Sequence, residues 1–221
     1  MPNWCNNSIT ITGPADQMKT LWEQAQSNWK TENYGLLNVM VPIPEALKGT
    51  RSPSPDDGSQ PIVDGHDNWY DWCVANWGTK WDINDEGLVF EDTEDGYATI
   101  SGWFESAWAP PITAYDKFME NNPEIQIYSI YEEGGMDFAG IYDNGSDEFM
   151  DELSVVCEAI VRGTQTLEEQ TELFQRLDEE LDLVENRREY IEEQMEEEEM
   201  QGQIADHMSV SYTHLTLPTK A

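Results

Sequence analysis

Ser8-Ile9-Thr10-Ile11-Thr12-Gly13-Pro14 runs straight into Ala15–Trp29, and the change of period between the two decides the fold class. Polar residues alternate with β-branched apolar ones in the first stretch, the period-2 pattern of a half-buried strand that Gly13-Pro14 ends. From Ala15 the apolar residues Met18, Leu21, Trp22, Ala25 and Trp29 recur at spacings of three and four. Pro14 suits a first helical turn and Asp16 is favourable near a helix N-terminus, so a helix over Ala15–Trp29 is predicted. A strand that passes at once into an amphipathic helix calls for a sheet backed by helices.

Working outward, Leu36–Pro42 reads as a second strand closed by proline, and 43–68, with Pro53, Pro55 and Asp56-Asp57-Gly58, as a long surface loop without fixed structure in part. Trp69–Trp77 has the spacing of a short helix, with Gly78 placed as its C-terminal stop. Thr79–Ile83, Leu88–Phe90 and Tyr97–Phe104 are predicted strands. Pro110-Pro111 should open a helix that runs through Met119, and Ile125–Tyr131 and Phe138–Tyr142 should form two strands joined around Glu132-Glu133-Gly134-Gly135. The predicted class is therefore α+β, a largely antiparallel sheet backed by helices.

Charge divides the chain. Its 221 residues hold 11 Lys and Arg against 45 Asp and Glu, a formal net charge of -34, with 38% hydrophobic residues and nine Trp. Such a balance opposes a phosphate-binding surface, so no direct nucleic-acid ligand is expected. No run reaches the roughly 18 apolar residues of a membrane span, so no membrane partner is expected. Met1–Asn7 lacks the basic start and apolar centre of a signal peptide, which places the chain in the cytoplasm. Cys5, Cys73 and Cys157 are too few and too scattered for a disulfide framework or a four-cysteine site, and neither a cofactor nor a metal is expected.

Residues 1–146 carry 24 acidic and six basic residues and all nine Trp, whereas 147–200 carry 20 acidic and four basic residues and no Trp. The first part reads as a globular body over 1–146, the second as an acidic helical arm over 147–208. Leu167, Phe174, Leu177, Leu181, Val184, Ile191 and Met195 fall on a and d positions of a heptad, with Gln170 and Arg188 as faults in the seam. Either a coiled coil that self-associates through 167–195 or a single acidic helix docked by its apolar stripe satisfies that pattern. Residues 209–221 have no acid and look like translated sequencing-adapter DNA, so they are predicted to be an unstructured artefact and set aside.

Four residues are candidates for binding: Trp77, Lys80, Trp81 and Trp108. Trp77 and Trp81 can wall a pocket in which Lys80 meets an anionic group of a partner, with Trp108 and Pro110-Pro111 opposite. The plainer reading, that these tryptophans lock a helix-to-strand junction, is the favoured one. His66 lies seven residues before Cys73 without a third group to orient it, and reads as an exposed loop histidine. Asp82-Ile83-Asn84-Asp85-Glu86-Gly87 has the opening of a calcium loop, but the twelfth place is Thr93, so a hairpin turn is predicted. No catalytic residue is assigned.

A set of segments adds to this reading. They are Pro2-Asn3-Trp4-Cys5-Asn6-Asn7, Val41-Pro42-Ile43-Pro44-Glu45, Trp69-Tyr70-Asp71-Trp72-Cys73 leading into Asn76–Asp82, Phe104–Pro111, and Tyr131-Glu132-Glu133-Gly134 with Phe138, Gly140 and Tyr142. In order and spacing, over about residues 1–145, they resemble the YubB ferredoxin-like family of proteins carried by plasmids, phages and their hosts. That resemblance implies a ferredoxin-like arrangement of strands and helices, without an iron–sulfur cluster, and a mobile-element setting; it supplies no catalytic residues. The expected role is a non-enzymatic accessory protein of a phage or plasmid that binds a host or element-encoded protein. Three alternatives stand beside it: an enzyme using Lys80 with Asp82 or Glu105 in the Trp-lined cleft, an acidic mimic of nucleic acid, and an RNA-binding sheet.

Overall fold

Alternation along β1 (Trp4–Pro14) puts Cys5, Asn7, Ile9, Ile11 and Gly13 on one buried face, and β1 lies in the middle of a six-stranded sheet. The computed structural model describes residues 3–32, 34–84, 86–93 and 95–214, the side chains of 32 and 204–214 excepted. The chain divides into two units, Met1–Asp151 and Glu152–Ala221.

In the first unit β1 is followed by α1 (Ala15–Glu32), α2 (Leu36–Met40), α3 (Trp69–Trp77), β2 (Leu88–Asp92), β3 (Tyr97–Ala107), α4 (Ile112–Asn121), β4 (Gln126–Glu133), β5 (Phe138–Asp143) and β6 (Ser146–Met150). The strand order is β2-β3-β1-β4-β5-β6, with every neighbouring pair antiparallel. Ile11 stands opposite Ile100 of β3 and Ile127 of β4. These three pack with Met18 and Leu21 of α1, Leu37 of α2, Trp72 and Trp77 of α3 and Tyr115 and Phe118 of α4 in one apolar core. The α+β class with an antiparallel sheet backed by helices is thus observed.

The structure departs from the sequence reading at four places in this unit. Leu36–Met40 is a helix rather than a strand, because Asp82 supplies from a distance what its N-terminus lacks: the carboxylate accepts N–H groups of Gly35, Leu37 and Asn38 at 2.7, 2.8 and 3.0 Å. Tertiary capping overrides the strand preference of Leu-Leu-Asn-Val. Thr79–Ile83 is not a strand either. Its polar groups tie separate elements together: Thr79 Oγ1 donates to Ala107 O at 2.9 Å, and Ile83 O accepts Leu36 N–H at 3.1 Å.

The 43–68 loop contains a 3-10 turn, Glu45–Leu47, and is cross-linked by Gln60, whose amide donates to Arg51 O, Ser54 Oγ and Asp67 O at 3.0–3.1 Å. Finally, Ser146–Met150 is the sixth strand and not the start of an arm. Asn144-Gly145, with φ of 48° and 92°, makes the hairpin turn that returns the chain to β5. The first unit therefore ends at Asp151, five residues past the change in composition at 146.

The second unit holds α5 (Leu153–Val161), a 3-10 turn at Leu167–Glu169, α6 (Glu172–Leu181) and α7 (Leu183–His214). Thr171 Oγ1 accepts the Phe174 N–H to cap α6, and Asp178 accepts the Val184 N–H at the start of α7. Leu153, Cys157, Phe174, Leu177, Leu183, Val184 and Ile191 are buried. The seven heptad positions fall on three elements, and Asp182 at φ 51° breaks the chain between α6 and α7. One continuous coiled-coil seam over 167–195 is therefore not formed. The α7 backbone continues through Ser209–His214, which the sequence reading had unstructured, and 215–221 lie outside the described residues.

Candidate functional site

Asn68 and Gly78 fix the helix on which the site is built. The Asn68 side chain accepts the Asp71 N–H at 2.9 Å to start α3, and Gly78, at φ 88°, ends it with its N–H on Val74 O. A Cβ at Gly78 would lie 3.1 Å from Pro110 O, so the tight turn also sets how closely α3 approaches the segment before α4. From that turn Lys80, Trp81 and Asp82 are delivered to the mouth of a cleft of about 390 Å³, lined by Trp29, Tyr34, Trp69, Cys73 and Trp77.

Each wall has a separate cause. Trp77 is only 1% exposed, meets Trp72 edge-to-face at 6.1 Å and donates its indole N–H to Val41 O at 2.8 Å, so it braces α3 against α2 while closing the cleft floor. Trp81 is half open to solvent and packs on Trp4 with ring centroids 5.7 Å apart. The Lys80 ammonium lies 4.4 Å from the centre of the Trp81 ring and 5.5 Å from that of Tyr70. Among the described residues it makes no ion pair with a carboxylate, in a chain of 45 acids. Tyr34, another lining residue, has the Lys48 ammonium 5.1 Å from its ring centre, and Lys48 is paired with Glu45 at 3.0 Å.

Asp82 is the group with the largest chemical consequence. Besides its three bonds to α2 it accepts its neighbour Ile83's N–H at 2.8 Å, and enclosure by this backbone pushes its carboxyl up to about 6 in spite of the four donors. Its oxygens are committed to holding α2 in place. The same commitment removes Asp82 from the calcium-loop pattern, and Asn84 there accepts the Glu86 N–H as an ordinary turn residue. Burial pushes the Cys73 thiol up to about 12, which keeps it protonated at neutral pH. His66 pairs with Val63 through its backbone, across the turn at Asp64-Gly65.

Of the four candidates, Trp77, Lys80 and Trp81 meet in one cleft and Trp108 does not. Trp108 is 54% exposed at φ 75°, a strained backbone for a bulky residue, with its N–H on Asn3 O at 3.0 Å. The strain is imposed from both sides, by Thr79 on Ala107 O and by Ser106 on Ala109 O at 2.8 Å. Glu105 is also outside the cleft, exposed on the sheet face that alternates with Phe104. Sequence reasoning missed Trp29, Tyr34 and Trp69 as lining residues. Trp29 at the end of the α1 stripe and Trp69 on the α3 face were visible, but nothing local placed them around one hollow.

No family model matches this chain, and no curated protein matches it. Among solved structures, the crystal structure of a protein api92 from Yersinia pseudotuberculosis, family-model DUF1281, is similar at a TM-score of 0.37 and 10% identity, covering 68% of this chain and 98% of that one.

Proposed function

We propose that this chain is a non-enzymatic accessory protein of a phage or plasmid, acting in the cytoplasm, whose aromatic cleft receives an anionic group carried by a host or element-encoded protein. One observation carries the reading: the Lys80 side chain, in a cleft walled by Trp77 and Trp81, lies over two rings with no carboxylate partner among the described residues. An ammonium held in that way is desolvated in part and preoriented, so an incoming carboxylate or phosphate gains a charge-assisted bond at small ordering cost. A ferredoxin-like arrangement of the first unit belongs to the same proposal. It is supported by the β2-β3-β1-β4 portion of the sheet, with helical crossovers between β1 and β2 and between β3 and β4. The mobile-element setting rests on the sequence resemblance alone.

The test is affinity capture from host lysate with the whole chain, its Lys80→Ala and Trp81→Ala variants, and a variant with Glu192→Gln and Glu193→Gln on α7. Partners should be lost with the cleft substitutions and kept with the α7 pair. The reverse pattern would favour the nucleic-acid mimic. An enzymatic reading has one specific observation in its favour, the raised Asp82 carboxyl beside Lys80. The four N–H groups on that carboxylate leave it poorly placed to exchange protons with a substrate, which is why binding is preferred.

A further inference from the structure

The face of the sheet turned away from α1 to α4 carries an arrangement that the cleft does not use. On an antiparallel sheet the outward positions are ordinarily polar. Here Trp103 is 54% exposed and Val89, Tyr97 and Tyr128 are exposed with it, while Glu91, Glu105 and Asp143, which stands opposite Tyr128, are exposed carboxylates among them. The register places these residues on one face: Val89 stands opposite Ser101 and Glu91 opposite Thr99, in the same alternate positions of β3 as Tyr97, Trp103 and Glu105. None of the described residues of the six strands is Lys or Arg.

The backbone beneath Trp103 is specialised. Gly102 is at φ 142° and Gly87 at φ 84°, and a Cβ on Gly102 would fall 1.9 Å from Gly87 O. Trp103 N–H donates to that same Gly87 oxygen at 3.1 Å. Two glycines therefore let β2 cross close to β3 and hold the indole outward.

We propose that the β2-β3 end of this outer face, where Trp103, Glu91 and Glu105 lie, is a docking surface for a basic, arginine-bearing segment of a partner protein, a second surface distinct from the cleft and opposite to it in the charge it receives. A neutral apolar partner would leave Glu91 and Glu105 desolvated without compensation, and a phosphate chain or anionic membrane would be repelled. Guanidinium groups satisfy both features: the plane stacks on an indole or phenol ring, and its fork of N–H groups reaches a carboxylate. The Lys80 ammonium over Trp81 and Tyr70 displays the same cation-on-ring chemistry inside the chain.

The experiment titrates the full chain with a labelled peptide of alternating Arg and Ser, and with Lys and Glu counterparts, at about 150 mM salt, where long-range attraction is largely screened. The Arg peptide should bind better than the Lys peptide, and the Glu peptide should not bind. Trp103→Ala should weaken Arg-peptide binding roughly tenfold. Glu105→Gln, which alters only an exposed charge and keeps the strand, should weaken it several-fold. Glu192→Gln with Glu193→Gln on α7 and Lys80→Ala in the cleft should leave it unchanged, so failure here is separable from failure at the cleft. Absence of binding, equal affinity in Glu105→Gln, or loss caused by the α7 pair would overturn the proposal.

Discussion

The two units are held by different kinds of interaction. In the first, contacts join residues far apart in the chain: Asp82 caps α2, Asn7 inside β1 donates to Ser106 Oγ of β3 at 2.9 Å, and Ser129 donates to Ser8 O at 2.8 Å. In the second, side-chain ion pairs among the described residues are exposed or short in range, such as Arg188 with Glu185 at 2.7 Å and Arg162 with Glu158 at 2.6 Å and Glu198 at 3.0 Å. Exposed pairs of that kind contribute little and weaken with salt. The difference teaches where a precise site can be built. A cleft needs walls fixed by packing and non-local hydrogen bonds, and those are in the first unit; the second presents charge density on helices.

Substitutions can break that contrast, and the largest effect belongs to the cleft floor. Trp77→Ala should lower unfolding free energy by about 3–5 kcal/mol in a denaturant melt of the first unit, since it deletes a buried indole and its bond to Val41. Next is Asp82. Its folded carboxyl titrates near 6 against an ordinary value of 3.8, so between those pH values the folded state binds the extra proton and stability falls as pH rises. The loss should total about 2 kcal/mol from pH 4 to pH 6.5, and it should be absent in Asp82→Asn. Gly102→Ala should cost about 2 kcal/mol in the same melt, because the added Cβ meets Gly87 O and the backbone must shift. The smallest effect is expected from Arg162→Ala, whose carboxylate partners are exposed, and its change in helix melting by circular dichroism should fade in about 0.5 M salt.

Much of the first unit was legible from local pattern. β1, α1, α3, β3 and the hairpin between β4 and β5 stood in the alternation, the 3- and 4-residue spacing, and Gly78. What escaped was decided at a distance. Leu36–Met40 needs Asp82, 45 residues along from Leu37, to become a helix. β6 was hidden by its own acids, Asp147 and Glu148, although Asn144-Gly145 is a strong hairpin signal once composition is put aside. In the second unit the heptad misled because spacing along the sequence carries no notice of the reversal at Asp182. For the site, Trp77, Lys80 and Trp81 came from one local motif, whereas Trp108 was drawn in by chain proximity to the prolines, and its strained backbone turns it elsewhere.

Covalent footprinting of the chain with a captured partner separates cleft binding from binding through α7, by lysine acetylation, tryptophan oxidation and carbodiimide-driven amidation of carboxylates, read by mass spectrometry. Protection of Lys80, Trp81 and Trp69 is expected on complex formation, with the carboxylates of residues 185–199 as reactive as in the free chain. Protection confined to 185–199, with Lys80 and Trp81 labelled as in the free chain, would contradict it.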